Sequence, residues 1–166
     1  MSWLYLVLGL VALQRLAELA WSRRNEQRLR AEGATEAGRG HYPFLVALHA
    51  GWLVAMLVLV PPETIPNPYL LSVYAGLQFL RLWTVATLGR FWTTRILTLP
   101  GAPLVRSGPY RWFRHPNYLI VIAEIVTLPL AFGAVAIALI FSLANLILLA
   151  VRIRAEEAAL ASRRSL

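Results

Sequence analysis

Hydrophobic residues in this chain fall into long runs broken by short polar stretches, and the runs set the architecture. The first covers residues 3–21. At about 1.5 Å per residue it reaches roughly 27 Å, the depth of a bilayer's hydrocarbon core, and Trp3 and Trp21 sit where the two interfaces would lie. Further runs over about 44–60, 69–88, 116–132 and 134–151 predict four more spans. The expected fold is therefore an all-α integral membrane protein of five transmembrane helices, one membrane domain over residues 1–166. A cleaved leader fits the first run poorly, because its arginines follow the apolar stretch instead of preceding it.

The breaks between runs differ in kind. Residues 22–43 interleave Arg23, Arg24, Arg28, Arg30 and Arg39 with Glu26, Glu32 and Glu36, and Gly33, Gly38 and Gly40 close any helix that continues into them. Residues 61–68 hold four prolines and no basic residue, which predicts a short loop. The fourth and fifth runs are joined only at Gly133, so they should form a tight antiparallel hairpin. That hairpin would set residues 115–118 beside residues 152–157.

Polar residues inside the runs are few. Gln14, Arg15 and Glu18 share one helical face, which reads either as an internal ion pair near the inner interface or as a substrate contact. His49 reads either as a proton acceptor in a cavity or as a packed, hydrogen-bonded histidine. Glu124 reads either as an acceptor-side base or as a structural partner of His49, Gln78 or Arg81. Asn145 should make an interhelical hydrogen bond.

Composition agrees with the membrane reading: 58% of the 166 residues are hydrophobic, 14% are charged, and the mean hydropathy is +0.60. There is no cysteine, which excludes disulfides and thiol nucleophiles, and three scattered histidines predict no metal site. All sixteen basic residues are arginine, with no lysine or aspartate, a bias expected of a GC-rich bacterial genome. Arginines crowd the loops after the first and third runs and the C-terminal tail, while residues 61–68 and the Gly133 turn have none. By the positive-inside rule the N-terminus is outside and the C-terminus cytoplasmic, in a bacterial inner membrane. The pI near 11.0 then comes from membrane-flanking arginines and implies no nucleic-acid partner.

The densest chemistry lies at residues 108–118, GPYRWFRHPNY, read with residues 152–157, RIRAEE. Pro116 suits a first helical turn, whose free N–H groups and positive dipole end attract an anion, and Arg111 and Arg114 reinforce that attraction. No GxGxxG follows a strand, so a nucleotide cannot be held in the Rossmann manner. This pair of motifs resembles the C-terminal signature of the isoprenylcysteine carboxyl methyltransferase family. These are integral-membrane enzymes that use S-adenosylmethionine (SAM), and phospholipid methyltransferases share a related arrangement.

The resemblance covers about residues 88–160 and implies that the two motifs clasp the cofactor. Tyr110, His115, Pro116, Asn117, Tyr118, Arg152, Glu156 and Glu157 would bind it, with Arg114 at the reacting groups and Glu124 or His49 on the acceptor side. The LGRFWTTR stretch from Leu88 resembles a cytoplasmic cap over the cofactor. Short bacterial proteins with a similar pattern include O-methyltransferases of alkylpyrones and phenolic lipids. A lipophilic acceptor reached from the bilayer is therefore expected, either a small acidic lipid or a prenylated cysteine. The rival outside enzymology is a non-catalytic membrane scaffold or small transporter subunit. It predicts internal repeats and polar groups along a full pathway, and neither is evident in the sequence.

Overall fold

A computed structural model describes residues 2–164, with side chains described through Ala161. Met1, Ser165 and Leu166, at the ends of the expected 1–166 domain, lie outside the described residues, as do the side chains of the tail arginines Arg163 and Arg164. Five helices form in chain order: α1 (Trp3–Ala31), α2 (Tyr42–Leu59), α3 (Pro68–Leu88), α4 (Pro116–Ala131) and α5 (Val135–Arg164). α1, α5 and α2 with the turn before it (Arg39–Leu59) are long and apolar enough to cross a membrane. α4, with 16 residues, is shorter, and α3 carries Gln78 and Arg81 within its apolar stretch.

α1 runs ten residues past the expected end of its span, because residues 22–31 are rich in helix formers and hold neither glycine nor proline. Gly33, at φ 93°, then ends the turn that follows. Asn67 caps α3, its side-chain oxygen accepting from the backbone N–H groups of Tyr69 and Leu70 at 3.0 and 3.2 Å. Gly133, at φ 71°, makes the left-handed turn that folds α5 back along α4. α5 has 30 residues and, at about 1.5 Å each, extends well past a bilayer's core.

The fold is all-helical as expected, with one small element the hydrophobic runs do not predict. Thr35–Ala37 (β1) and Ile96–Thr98 (β2) form an antiparallel two-stranded ribbon, with Glu36 opposite Leu97. Glu36 is held by arginines from three segments: Arg30 donates at 2.5 Å, Arg95 at 2.7 Å, and Arg39 lies 3.5 Å away. The ribbon ties the loop after α1 to the loop after α3.

The core fills one end of the bundle. Leu4, Leu8 and Val11 of α1 meet Trp52 and Met56 of α2, Tyr74 of α3, Ile125 and Leu128 of α4, and Ile137 of α5. Leu13, Phe79, Leu139 and Leu143 lie on the outside, as lipid-facing side chains should. Asn145 corrects an expectation: it is fully buried, yet among the described residues neither amide atom has a hydrogen-bond partner.

Candidate active site

Beyond the core, the helices part around a cavity of about 1120 Å³. Its floor is a layer of charges. From α1, Glu18 accepts from Arg81 Nε and Nη2 of α3 at 2.7 and 2.6 Å, and from Arg15 Nη1 at 3.3 Å. Glu124 of α4 accepts from Arg15 at 2.7 Å, Gln78 at 3.0 Å and Arg81 at 3.3 Å. The face predicted from Gln14, Arg15 and Glu18 is thus one side of a buried cluster of two arginines and two carboxylates that joins three helices. Each charge is matched, as burial requires.

The two readings of Glu124 part company on this geometry. A base needs a lone pair facing its substrate; this carboxylate is 1% exposed, receives three donors, and is not among the residues lining the cavity. These contacts are the ones expected of a structural partner of Arg15, Gln78 and Arg81. His49 does line the cavity. Its Nδ1–H donates to the Leu45 carbonyl at 2.8 Å, which fixes the tautomer and leaves the lone pair on Nε2.

At the opposite end the α4–α5 hairpin brings the two motifs together. Tyr118 Oη donates to Glu156 through a short hydrogen bond and accepts from Arg152 Nε at 2.8 Å. His115 stacks on the Tyr118 ring at 5.4 Å and pairs through Nε2 with Glu157 at 3.1 Å. Pro116 opens α4 with no N–H to satisfy. The Asn117 side-chain oxygen is buried with no donor. Tyr110 lines the same space, and burial, with the nearby negative charge of Glu156, pushes its phenol well above the ordinary value, so it stays a hydroxyl donor. Arg114 is 76% exposed and 4.0 Å from Glu157, at the outer rim. Gly108, at φ 52°, lets the chain enter this turn with its α-carbon hard against Thr87, where a Cβ would meet Oγ1 at 2.6 Å.

The roof was legible only as a stretch, not as contacts. Arg152 Nη2 donates to the Thr94 carbonyl at 2.7 Å. The Thr94 N–H donates to Ser22 Oγ at 2.8 Å, and its hydroxyl lies 3.1 Å from Tyr42 Oη. Asn25 donates to the Gly89 and Trp92 carbonyls at 3.0 and 2.8 Å. Arg95 sits 4.3 Å over the Tyr42 ring. Ser22, Asn25 and Tyr42 thus hold the LGRFWTTR stretch at Thr94 although no motif marked them; the one signal was a polar Ser22 and Asn25, one helical turn apart, at the end of an apolar helix.

Between roof and floor the walls are aliphatic, with Leu19, Leu53 and Val121 among them. Leu16 of α1 and Val46 of α2 also line the cavity while 64% and 45% exposed, so the seam between these helices has one side toward the cavity and one toward lipid. Among the described residues, no cluster of three or more His, Asp or Glu side chains is arranged to hold a metal ion.

Comparison with known proteins meets this geometry. The profile of the isoprenylcysteine carboxyl methyltransferase family matches residues 70–162, which contain most of α3, all of α4 and α5 through the acidic pair. The uncharacterized protein YpbQ of Bacillus subtilis strain 168 is 40% identical over 162 residues, 94% of this chain and 95% of that protein. An uncharacterized protein of Haemophilus influenzae is 28% identical over 151 residues, 88% of each chain. No solved structure matches. The profile spans more than half of the chain and contains both halves of the clasp, so this chain belongs to the isoprenylcysteine carboxyl methyltransferase family of membrane methyltransferases.

Proposed function

We propose that the protein is a SAM-dependent O-methyltransferase whose acceptor is a lipophilic molecule bearing a carboxylate or an acidic hydroxyl. The observation that supports this most is the single cavity, polar at the clasp, aliphatic along its walls and bordered by lipid at the α1–α2 seam. Its volume of about 1120 Å³ exceeds the roughly 300–1,000 Å³ of a typical one-ligand pocket. There is room for two reactants.

The donor set fits the cofactor. Glu156 and Glu157 suit an ammonium or ribose hydroxyls, and the orphaned Asn117 oxygen suits an amino group. The Tyr110 hydroxyl and Arg114 suit a carboxylate. Bound there, SAM supplies a methyl group already activated by its sulfonium. The protein's own task is alignment and exclusion of water, which the roof at Thr94 and Arg152 and the aliphatic walls perform. An acidic acceptor needs little help to lose its proton, and His49 Nε2 is placed to take it. The arginine-rich loops after α1 and α3 lie on the clasp side, which by the positive-inside rule supports a site facing the cytoplasm from the inner membrane.

Two measurements test the reading. S-adenosylhomocysteine at a hundredfold excess over its Kd adds about 2.7 kcal/mol, a rise of about 5–10 °C in Tm for a chain of this size. Glu157→Ala and His115→Ala should abolish the rise in detergent-solubilised protein. The reading fails if neither SAM nor its product shifts Tm in the intact protein. Radiolabelled SAM offered with a farnesylated cysteine derivative and a long-chain hydroxypyrone then assigns the acceptor by which of the two takes up label.

A further inference from the structure

The charged floor of the cavity has an imbalance between donors and acceptors. Arg15 and Arg81 present ten N–H groups between them, and five hydrogen bonds to Glu18 and Glu124 use half of these. Arg15 Nε is buried with no acceptor. The carboxylates are close to filled in contrast, Glu18 taking four donors with Gln14 among them, and Glu124 three of about four. Both arginines line the cavity together with Glu18, whose carboxylate is already filled by its four donors; Glu124 does not.

A layer of this kind does more than join helices. If only cohesion were required, the cluster could be sealed within the bundle, where apolar packing of similar volume serves as well or better. Instead Arg15, Arg81 and the fully engaged Glu18 border the aliphatic chamber, and a buried N–H without an acceptor is costly. An oxygen-bearing head would relieve that cost. The two carboxylates keep the cluster neutral overall, so it favours one oxyanion without drawing in multiply charged solutes.

We propose that Arg15 and Arg81 form an acceptor-binding subsite, seating the oxyanion head of the lipophilic acceptor, a carboxylate or an enolate flanked by a second oxygen. This rests on the methyltransferase reading. A guanidinium fork matches two adjacent oxygens, so a head with one oxygen gains less from it. From Tyr118 to Glu124 is six residues of helix, about 9 Å, so a head on this floor places its reacting oxygen below the clasp while its tail lies along Leu16, Val46 and Leu53.

The test uses the charge-balanced double variant Arg15→Gln/Glu124→Gln, which removes one charge of each sign and keeps the Arg81–Glu18 pair. A long-chain 4-hydroxy-2-pyrone, farnesylcysteine and an alkylphenol of matched length are titrated, by tryptophan fluorescence, into protein saturated with S-adenosylhomocysteine. Kd for the pyrone or for farnesylcysteine should rise at least tenfold, while the alkylphenol and S-adenosylhomocysteine itself change less than twofold; the probe that is weakened identifies the head. Equal weakening of all ligands, or of none, overturns the subsite. Should the double variant not fold, Arg15→Lys keeps the charge beside Glu124 and removes the fork, and the same selective loss, at least threefold, is required of it. Wild-type protein that binds the pyrone or farnesylcysteine selectively but transfers no methyl group would sink the enzymatic reading and leave the subsite standing. Wild-type protein that binds neither would sink the subsite.

Discussion

Glu124→Gln separates a base from a strut. The substitution keeps the shape and one acceptor oxygen but removes the charge that faces Arg15 at 2.7 Å and Arg81 at 3.3 Å, leaving two buried guanidinium groups with the one carboxylate of Glu18. Breaking a buried pair in this way costs about 3–5 kcal/mol. The retained oxygen places this case at the lower end, about 3 kcal/mol, or a fall of about 6–12 °C in Tm. A general base would instead lose about 10²–10⁴ in turnover and the matching limb of the pH–rate profile. Thermal unfolding in detergent is measured beside single-turnover methyl transfer below the variant's Tm. The expected result is a large loss of stability with turnover within about tenfold of wild type and an unchanged pH profile. Unchanged stability with a hundredfold loss of turnover and a missing limb would refute the structural assignment.

Two further predictions concern the clasp and the ribbon. Tyr118→Phe deletes a hydroxyl that accepts from Arg152 and donates to Glu156. Hydrogen bonds to charged groups are worth about 1.5–3 kcal/mol of stability, so Tm without ligand should fall by about 3–12 °C, and calorimetry should show weaker binding of S-adenosylhomocysteine because Glu156 and Arg152 lose the hydroxyl that positions them. At Glu36, burial pushes the carboxyl up, but hydrogen bonds from Arg30 and Arg95 outweigh it and hold the group below the ordinary value of 4.5. Its stabilising effect is therefore fully present above pH 4.5 and lost as pH falls through the lowered value. Hydrogen exchange at Thr35–Ala37, corrected for intrinsic rates, should accelerate in that acid window; Glu36→Gln should exchange fast already at neutral pH and lose the acid dependence.

The hairpin and the pairing of the two motifs were legible because they rest on local signals: apolar runs of bilayer length, a glycine turn, and a proline at a helix start. Contacts at long range were not. Glu18 and Arg81 are each visible as charges in apolar helices, but 63 positions separate them and nothing in either stretch names the other. The ribbon escaped for a related reason. TEA and ILT are three residues each, too short to show the alternation of a strand. What pairs them is the grip of three arginines on Glu36 and of Ser22 on Thr94, contacts the loop composition alone reads as a solvated face. Asn145 failed in the opposite direction: a polar residue in an apolar helix predicts a partner, and the packing provides none.

The position of the charged layer explains why one end of the bundle is packed and the other is open. Below it, Leu8, Trp52, Tyr74 and Ile125 interdigitate, and the helices can approach as closely as their side chains allow. At the layer, four charged side chains must keep their distances to one another, so α1, α3 and α4 are fixed by hydrogen-bond geometry instead of collapsing by apolar contact. Above it, α2 reaches α1 across few side chains, and the ribbon and the Thr94 contacts bridge the gap from the top. A chamber held at floor and roof by polar contacts has its shape set by the protein's own side chains. That is the preorganisation the proposed transfer between two reactants would require.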